Sequence, residues 1–210
     1  MWGKFLLIRL SPGLVLKSFW RPYRARPGEA VLTVRARRAF PPGHPTTRLC
    51  LELLAQASAK FSGERLLDVG CGSGILALAG AALGAGLCVG VDLSWRAVLL
   101  SRENARANHL AKVVQVAHGS TECLRGPFQV LAANLPAAAV QMAKVAELTR
   151  LAAPGAIIIL SGFRDTQEEP LAQLYAEAGW SINRRVYRDE WAIELPPEKS
   201  FTWAAWLLER

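Results

Sequence analysis

The sequence predicts an α/β fold with a mostly parallel sheet that ends in an antiparallel hairpin. Three observations carry this expectation. From Arg65 onward, short apolar runs alternate with longer amphipathic ones, as in strand–helix crossover units. A glycine-rich corner follows the first of these apolar runs, and an aspartate closes the second. The last two strand-like runs, 180–187 and 201–209, have no helical stretch between them, so the final strand should run antiparallel to its neighbour.

Each element follows from local chemistry. Residues 1–40 read as a short strand-and-turn extension, punctuated by Pro12, Pro22 and Pro27, ahead of a single domain at 41–210. In AFPPGHPTTRLC (39–50), Pro41, Pro42 and Gly43 interrupt regular structure, and Pro45-Thr46-Thr47 opens an apolar helix. RLLDVG (65–70), LCVGVD (87–92), VVQVA (113–117), QVLAAN (129–134) and AIIIL (156–160) read as buried strands. Helices are expected at 74–83, 94–107, 137–151 and 166–178, the last closed by Gly179. WSINRRVY and FTWAAWLLE form the hairpin, with Pro196 and Pro197 in its connection.

Bulk properties narrow the class. At 210 residues, 51% apolar and 20% charged, the chain fits one well-buried domain. Twenty-five Lys and Arg against 17 Asp and Glu give a net charge of +8. Arg21, Arg24, Arg26, Arg35, Arg37 and Arg38 concentrate that excess in the N-terminal region, a patch that would attract nucleic acid, an acidic protein or a ribosomal surface. A merely solubilising surface explains it equally well. Cys50, Cys71, Cys88 and Cys123 lack any metal-type or disulfide-type spacing, so no metal site is expected and a reducing cytoplasm is. The uncharged run at 71–91 is long enough to span a bilayer, but six glycines and the flanking Asp68 and Asp92 fit a strand–turn–helix–strand unit better. No membrane partner is expected.

LLDVGCGSGILALA places Gly70, Gly72 and Gly74 where a strand meets its helix, so backbone can approach a ligand and the helix N–H groups face it. Asp92 follows Gly70 by 22 residues, at the end of the next strand, where an acid can accept hydrogen bonds from ribose hydroxyls. Gly72, Gly74 and Ala77 also match a dinucleotide fingerprint. Asp68 decides between the ligands. An anion beside pyrophosphate costs energy, whereas S-adenosyl-L-methionine has no phosphate and carries an amino cation and a sulfonium. The expected cofactor contacts are Asp68, Gly70, Cys71, Gly72, Gly74, Asp92 and Leu93. In AANLPAAA, Asn134 ends the fourth strand on the ligand edge, with Leu135 next. It either aims an acceptor amine through carbonyl oxygens or simply caps the following helix.

DVGCGSG is similar to the first motif of class I methyltransferases, which are Rossmann-like. FPPGHPTTRLCLELL, LLDVGCGSGILALAG, VGVDLSWRAVLLSRENARAN, AANLPAAAV and LAAPGAIIILSGF together resemble the PrmA family of ribosomal protein L11 methyltransferases, from about residue 30 to the C-terminus. The resemblance implies methylation of amino groups on a protein, with Asn134 as catalytic residue. It also implies that Thr47, Gly70, Asp92 and Asn134 contact S-adenosyl-L-methionine. Thr46 and Thr47 would then both cap a helix and offer a hydroxyl to the methionine end of the cofactor, with His44 at the rim. A plain helix cap is the rival reading. Three departures stand out: Pro41 and Pro42 replace Gly-Thr in a loop one residue shorter, Pro136 follows Leu135, and the family's N-terminal substrate domain does not fit in forty residues.

The segment RDEWAIELPPEKS could form an acidic, aromatic lip for a lysine, from Trp191 with Asp189, Glu190 and Glu194; a solvated hairpin is the plainer alternative. His109 and His118 read as structural, and most tryptophans as core. The expected function is a protein N-methyltransferase. The alternatives are an N-methyltransferase acting on a nucleic-acid base or small-molecule amine, and a cofactor-binding scaffold without activity.

Overall fold

The computed structural model describes residues 7–36, 40–60, 62–139, 142–190 and 200–210. Its first element is a small sheet: β1 (Leu7–Ser11) pairs antiparallel with β2 (Leu14–Ser18), and β3 (Ala30–Val34) lies parallel to β2. Leu10, Leu14, Leu16, Leu32 and Val34 point inward and join the same apolar cluster as the helices that follow.

The outer edge of β3 is sealed by side chains. Asn108 accepts from Thr33 N through Oδ1 (2.8 Å) and donates through Nδ2 to Thr33 O (2.8 Å). Asn104 does the same for Arg35, at 3.0 and 2.8 Å. Each amide supplies the donor and acceptor that a neighbouring strand would offer, so the outward backbone groups of Thr33 and Arg35 are satisfied.

The main chain then runs α1 (Pro45–Ala57), β4 (Arg65–Val69), α2 (Ile75–Ala82), β5 (Leu87–Asp92), α3 (Trp95–Ala107), β6 (Val114–His118) and β7 (Phe128–Asn134). After β7 come α4 (Met142–Leu151), β8 (Ala152–Arg164), α5 (Glu168–Glu177), β9 (Ser181–Asp189) and β10 (Thr202–Glu209). Seven strands form one sheet in the order β6-β5-β4-β7-β8-β10-β9. All pairs are parallel except the two made by β10, which inserts between β8 and β9. The fold is therefore α/β and Rossmann-like with a C-terminal antiparallel hairpin. Strand order reverses between β4 and β7, and in such sheets ligands bind beyond the strand ends at that reversal.

The two faces of the sheet carry separate apolar layers. One joins α1, α2, α3 and the small sheet; the other joins α4 and α5, with Tyr175, Trp180 and Trp206 among its largest buried side chains. Trp180 Nε1 donates to Thr149 Oγ1 at 2.8 Å, and Trp206 Nε1 donates to Glu168, so both buried indoles have acceptors. Of the five described tryptophans, Trp180 and Trp206 are core and Trp203 is half-buried, whereas Trp20 is 74% exposed and Trp95 50%.

Element boundaries differ from the expectation in two places. The sequence predicts β8 at 156–160, yet it spans Ala152–Arg164. Pro154 and Gly155 sit in an exposed bulge where β8 shifts register against β7. The expected helix at 137–151 begins as a 3-10 turn, Ala137–Ala139, before α4 starts at Met142. Among the described residues, no helix is long and apolar enough to cross a membrane.

Candidate functional site

The ends of β4, β5 and β7 meet the start of α1 around a cavity of about 530 Å³, within the range of small-molecule sites. Phe40, His44, Thr46, Gly70, Gly72, Asp92, Leu93, Ser94, Ala97, Asn134, Leu135, Pro136, Gly162 and Trp203 line it.

α1 contributes its first turn. The N-cap is His44: its Nδ1 accepts from Thr46 N at 3.3 Å and lies 2.9 Å from Thr46 Oγ1. The expectation that Thr46 and Thr47 cap the helix is corrected here. Pro45 fixes the first helical position, both threonines fall inside the first turn, and both are buried. Thr46 lines the cavity, and Thr47 Oγ1 accepts from Asn134 Nδ2 at 3.4 Å. That contact links the helix start to the end of β7.

The glycine corner follows β4. Gly70 N donates to Val91 O at 2.8 Å, and Gly72 N donates to Asp92 Oδ2 at 2.9 Å. A Cβ on Gly70, whose φ is +68°, would be strained by the backbone and would stand 2.4 Å from Leu135 Cδ2, so that side chain would have to shift. Asp92 Oδ1 accepts from Ser94 N at 2.8 Å, which holds the carboxylate at the cavity wall. Leu93 is 75% exposed; its carbonyl contacts His118 Nε2 at 3.0 Å, the partner that sequence alone left unnamed.

Other expected contacts lie behind the lining. Asp68 is buried and accepts from Ala77 N at 3.0 Å through Oδ2, beneath the glycine corner. Burial pushes its carboxyl up to about 7; the Ala77 hydrogen bond opposes the shift and the charge of Asp92 adds to it. Cys71 is buried against Ser101, 3.5 Å from its hydroxyl, and burial raises its thiol. Gly74 is the N-cap of α2, and a Cβ there would meet Ser101 Oγ at 3.0 Å. Trp191 and Glu194 lie outside the described residues.

Beyond Asn134, the cavity wall adds Phe40, Gly162 and Trp203, which the sequence did not single out, to Leu135 and His44, which it did. Leu135 N donates to Ser161 O at 3.1 Å, and its carbonyl passes so close to Gly162 that a Cβ there would stand 1.9 Å from Leu135 O. Phe40, His44 and Trp203 form an aromatic wall, with ring centroids 4.5 and 5.0 Å apart in succession. Glu190 stands behind it, accepting from Trp203 Nε1 at 2.6 Å and Arg164 Nη2 at 3.1 Å, 4.0 Å from His44 Nε2. The Arg164 guanidinium stacks over the Trp203 ring at 3.6 Å. Asp189 accepts from Thr202 Oγ1 at 2.8 Å. The acidic lip expected at the hairpin is thus, at Asp189 and Glu190, already engaged in closing it. Burial, more than the opposing charge of Glu190, lowers the His44 pKa and keeps the ring neutral at pH 7. Trp203 was hidden in a strand that reads as core.

Comparison with known proteins identifies the lineage. The family model described as ribosomal protein L11 methyltransferase (PrmA) matches residues 3–195, beginning well before the residue 30 expected from motifs. This chain belongs to the PrmA family. The ribosomal protein L11 methyltransferase of Syntrophotalea carbinolica is 39% identical over 191 residues, covering 90% of this chain and 62% of that protein. The one from Geobacter metallireducens is 37% identical over 193 residues, covering 91% and 62%. The chain therefore spans about three-fifths of the length of these PrmA relatives. A solved ribosomal protein L11 methylase from Lactobacillus delbrueckii subsp. bulgaricus shares the fold at a TM-score of 0.80 and 24% identity, covering 97% of this chain and 98% of that one. Magnesium protoporphyrin IX methyltransferase (ChlM) from Synechocystis PCC 6803, solved with bound SAH, shares it at 0.61 and 17%, covering 78% and 82%.

Proposed function

We propose that this PrmA-family chain is an S-adenosyl-L-methionine-dependent protein N-methyltransferase acting on amino groups of a ribosomal protein, the substrate that its relatives' names state. One observation carries the choice of cofactor. Among the described lining residues the one carboxyl is Asp92, and no lysine or arginine stands there to meet a phosphate. A cavity with an anion and no cation favours a sulfonium donor and disfavours a pyrophosphate.

The donor would be held by Gly70, Gly72, Asp92 and Leu93, with Thr46 and Thr47 at its methionine end and Asp68, Cys71 and Gly74 supporting the corner from behind. When bound, S-adenosyl-L-methionine supplies a methyl group on a positively charged sulfur. Asn134 acts on the acceptor. Its Nδ2 donates to Thr47, which leaves Oδ1 to accept an amine N–H. Leu135 would offer its carbonyl as second acceptor, and the bond from its N–H to Ser161 O anchors this residue against β8. Two fixed acceptors aim the nitrogen lone pair at the methyl, and positioning of this kind supplies much of an enzyme's acceleration. Phe40, His44 and Trp203 exclude water and give a cationic side chain an aromatic wall. Desolvation there lowers an amine whose ordinary pKa is about 10.4, so that it can shed its proton. His44 is not the base in this scheme, since its Nδ1 lone pair caps α1. Residues 1–40 would serve as an extension of the methyltransferase domain, and free cysteines fit a reducing cytoplasm.

The test is calorimetry followed by methyl transfer. Binding of S-adenosylhomocysteine, no response to a nicotinamide dinucleotide, and tritiated methyl label in a protein band are expected. Label in RNA would favour the base-modifying alternative, and binding without any label would favour an inactive scaffold.

A further inference from the structure

The surface of the small sheet carries a feature that methyl transfer does not use. Between residues 7 and 36 there are six cations and one acid, Glu29. Glu29 is consumed internally: Tyr23 Oη and Arg26 N donate to it at 2.6 and 2.9 Å, and Arg9 pairs with it. These partners hold its carboxyl down at about 2, so it neutralises Arg9 and nothing else. The ammonium of Lys17 faces the carbonyls of Ser18 and Phe19 at 3.5 and 3.4 Å. Arg21, Arg24 and Arg26 are exposed, and their side chains form no ion pair among the described residues.

Aromatic rings stand among these charges. Phe19 is 37% exposed and Trp20 is 74% exposed, packed edge to face at 4.8 Å. The Arg35 guanidinium lies 4.0 Å over the Phe19 ring. The loop is built to hold this arrangement: Phe19 N donates to Val34 O at 2.8 Å, Arg21 N to Ser18 O at 2.9 Å, and Glu29 ties the far end. A surface that served solubility alone would gain nothing from an indole left in water.

We propose that the loop at residues 19–29, with Arg35, is a binding platform for single-stranded RNA. Trp20 supplies a free π-face on which an unstacked base can lie, and sequence-tolerant stacking of this kind is a main source of single-strand affinity. Arg21, Arg24 and Arg26 supply planar forks for phosphate, which arginine binds through paired hydrogen bonds. A duplex would match the charge but leave the indole unused. The proposal is independent of the methyl-transfer reading, because no residue of the platform lines the cavity.

The experiment is fluorescence anisotropy of the whole chain with a labelled single-stranded RNA of about eight nucleotides, within the site sizes such platforms cover. Saturable binding at low salt is expected, with log affinity falling against log salt at a slope of about −2 for three phosphates. Trp20→Ala should weaken binding roughly five-fold or more. Arg24→Ala should flatten the slope by about 0.7. Arg184→Ala, on β9 at the far edge of the large sheet, should change neither, and melting curves of all variants should coincide. The proposal is overturned if no titration is seen, if duplex RNA binds as tightly as single strands, or if Trp20→Ala and Arg24→Ala bind unchanged. Trp20-dependent capture by phosphatidylserine vesicles without RNA binding would assign the surface to a membrane and overturn it as well. Trp20→Ala losing methylation of a protein acceptor while binding RNA unchanged would assign the surface to that protein and overturn the proposal too.

Discussion

Replacing Gly162 with alanine isolates the contribution of the acceptor corner. At this position φ is +105°, and the added Cβ would lie 1.9 Å from Leu135 O, a backbone atom that cannot rotate away. Gly155, in the same strand, is the matched control: its φ is +70° and nothing lies within 4 Å of the added carbon. Both substitutions incur left-handed strain of about 1–2 kcal/mol. Gly162→Ala adds an overpacking cost of about 1–3 kcal/mol. For a domain of this size each kcal/mol lowers Tm by about 2–4 °C, so Gly155→Ala should lose a few degrees and Gly162→Ala roughly twice that. Activity should separate the two further. Moving the Leu135 carbonyl by about 1 Å misplaces one of the two acceptors proposed for the amine, and errors of that size cost on the order of a hundred-fold in rate. Methyl-transfer kinetics at saturating donor, together with calorimetry for S-adenosylhomocysteine, form the assay. Gly162→Ala should lose kcat with donor affinity nearly unchanged, while Gly155→Ala keeps both. Equal losses of stability and rate in the two variants would refute the assignment of the Leu135 carbonyl to the acceptor.

Other expectations follow from the same geometry. Asp92→Ala removes the carboxylate that fixes Gly72 N and Ser94 N, and calorimetry should show donor affinity reduced on the order of a hundred-fold. Asn134→Ala should instead slow methyl transfer, with S-adenosylhomocysteine affinity within a few-fold of the parent. Asp68 sets a pH dependence of stability. Its folded pKa is raised to about 7, so the folded state keeps a proton that the unfolded state releases near pH 4. Stability should therefore fall as pH rises through that window, by up to about 1.4 kcal/mol per unit, and level off above pH 7. Asp68→Asn should remove this slope in urea titrations and leave the variant the more stable protein at pH 8; an unchanged slope would show that Asp68 titrates normally.

Sequence and structure agree most closely where chemistry is local. The glycine corner, Asp92 and Asn134 stand at strand ends because crossover topology puts every parallel strand's carboxyl end on one edge. Periodicity also located the strands from β4 onward. The aromatic wall was not legible, because Trp203 reaches the cavity only through the antiparallel register that sets it opposite Arg164. His44 reads as a rim residue in sequence, whereas its cap role depends on a side-chain torsion. Asp68 looked like a direct partner for a cation; its place beneath the corner depends on the Ala77 hydrogen bond, nine residues along the chain.

The insertion of β10 between β8 and β9 constrains how the protein comes into being. During synthesis β8 emerges with a long open edge, and β9 has no mate in the sheet until Thr202–Glu209 has left the ribosome. Nascent chains halted before that point hold the glycine corner but lack the indole of Trp203, and they expose a strand edge prone to pairing with other molecules. The methyl transfer proposed for this chain therefore waits on the insertion of β10, and removing Thr202–Glu209 should yield aggregates, not a weakened site.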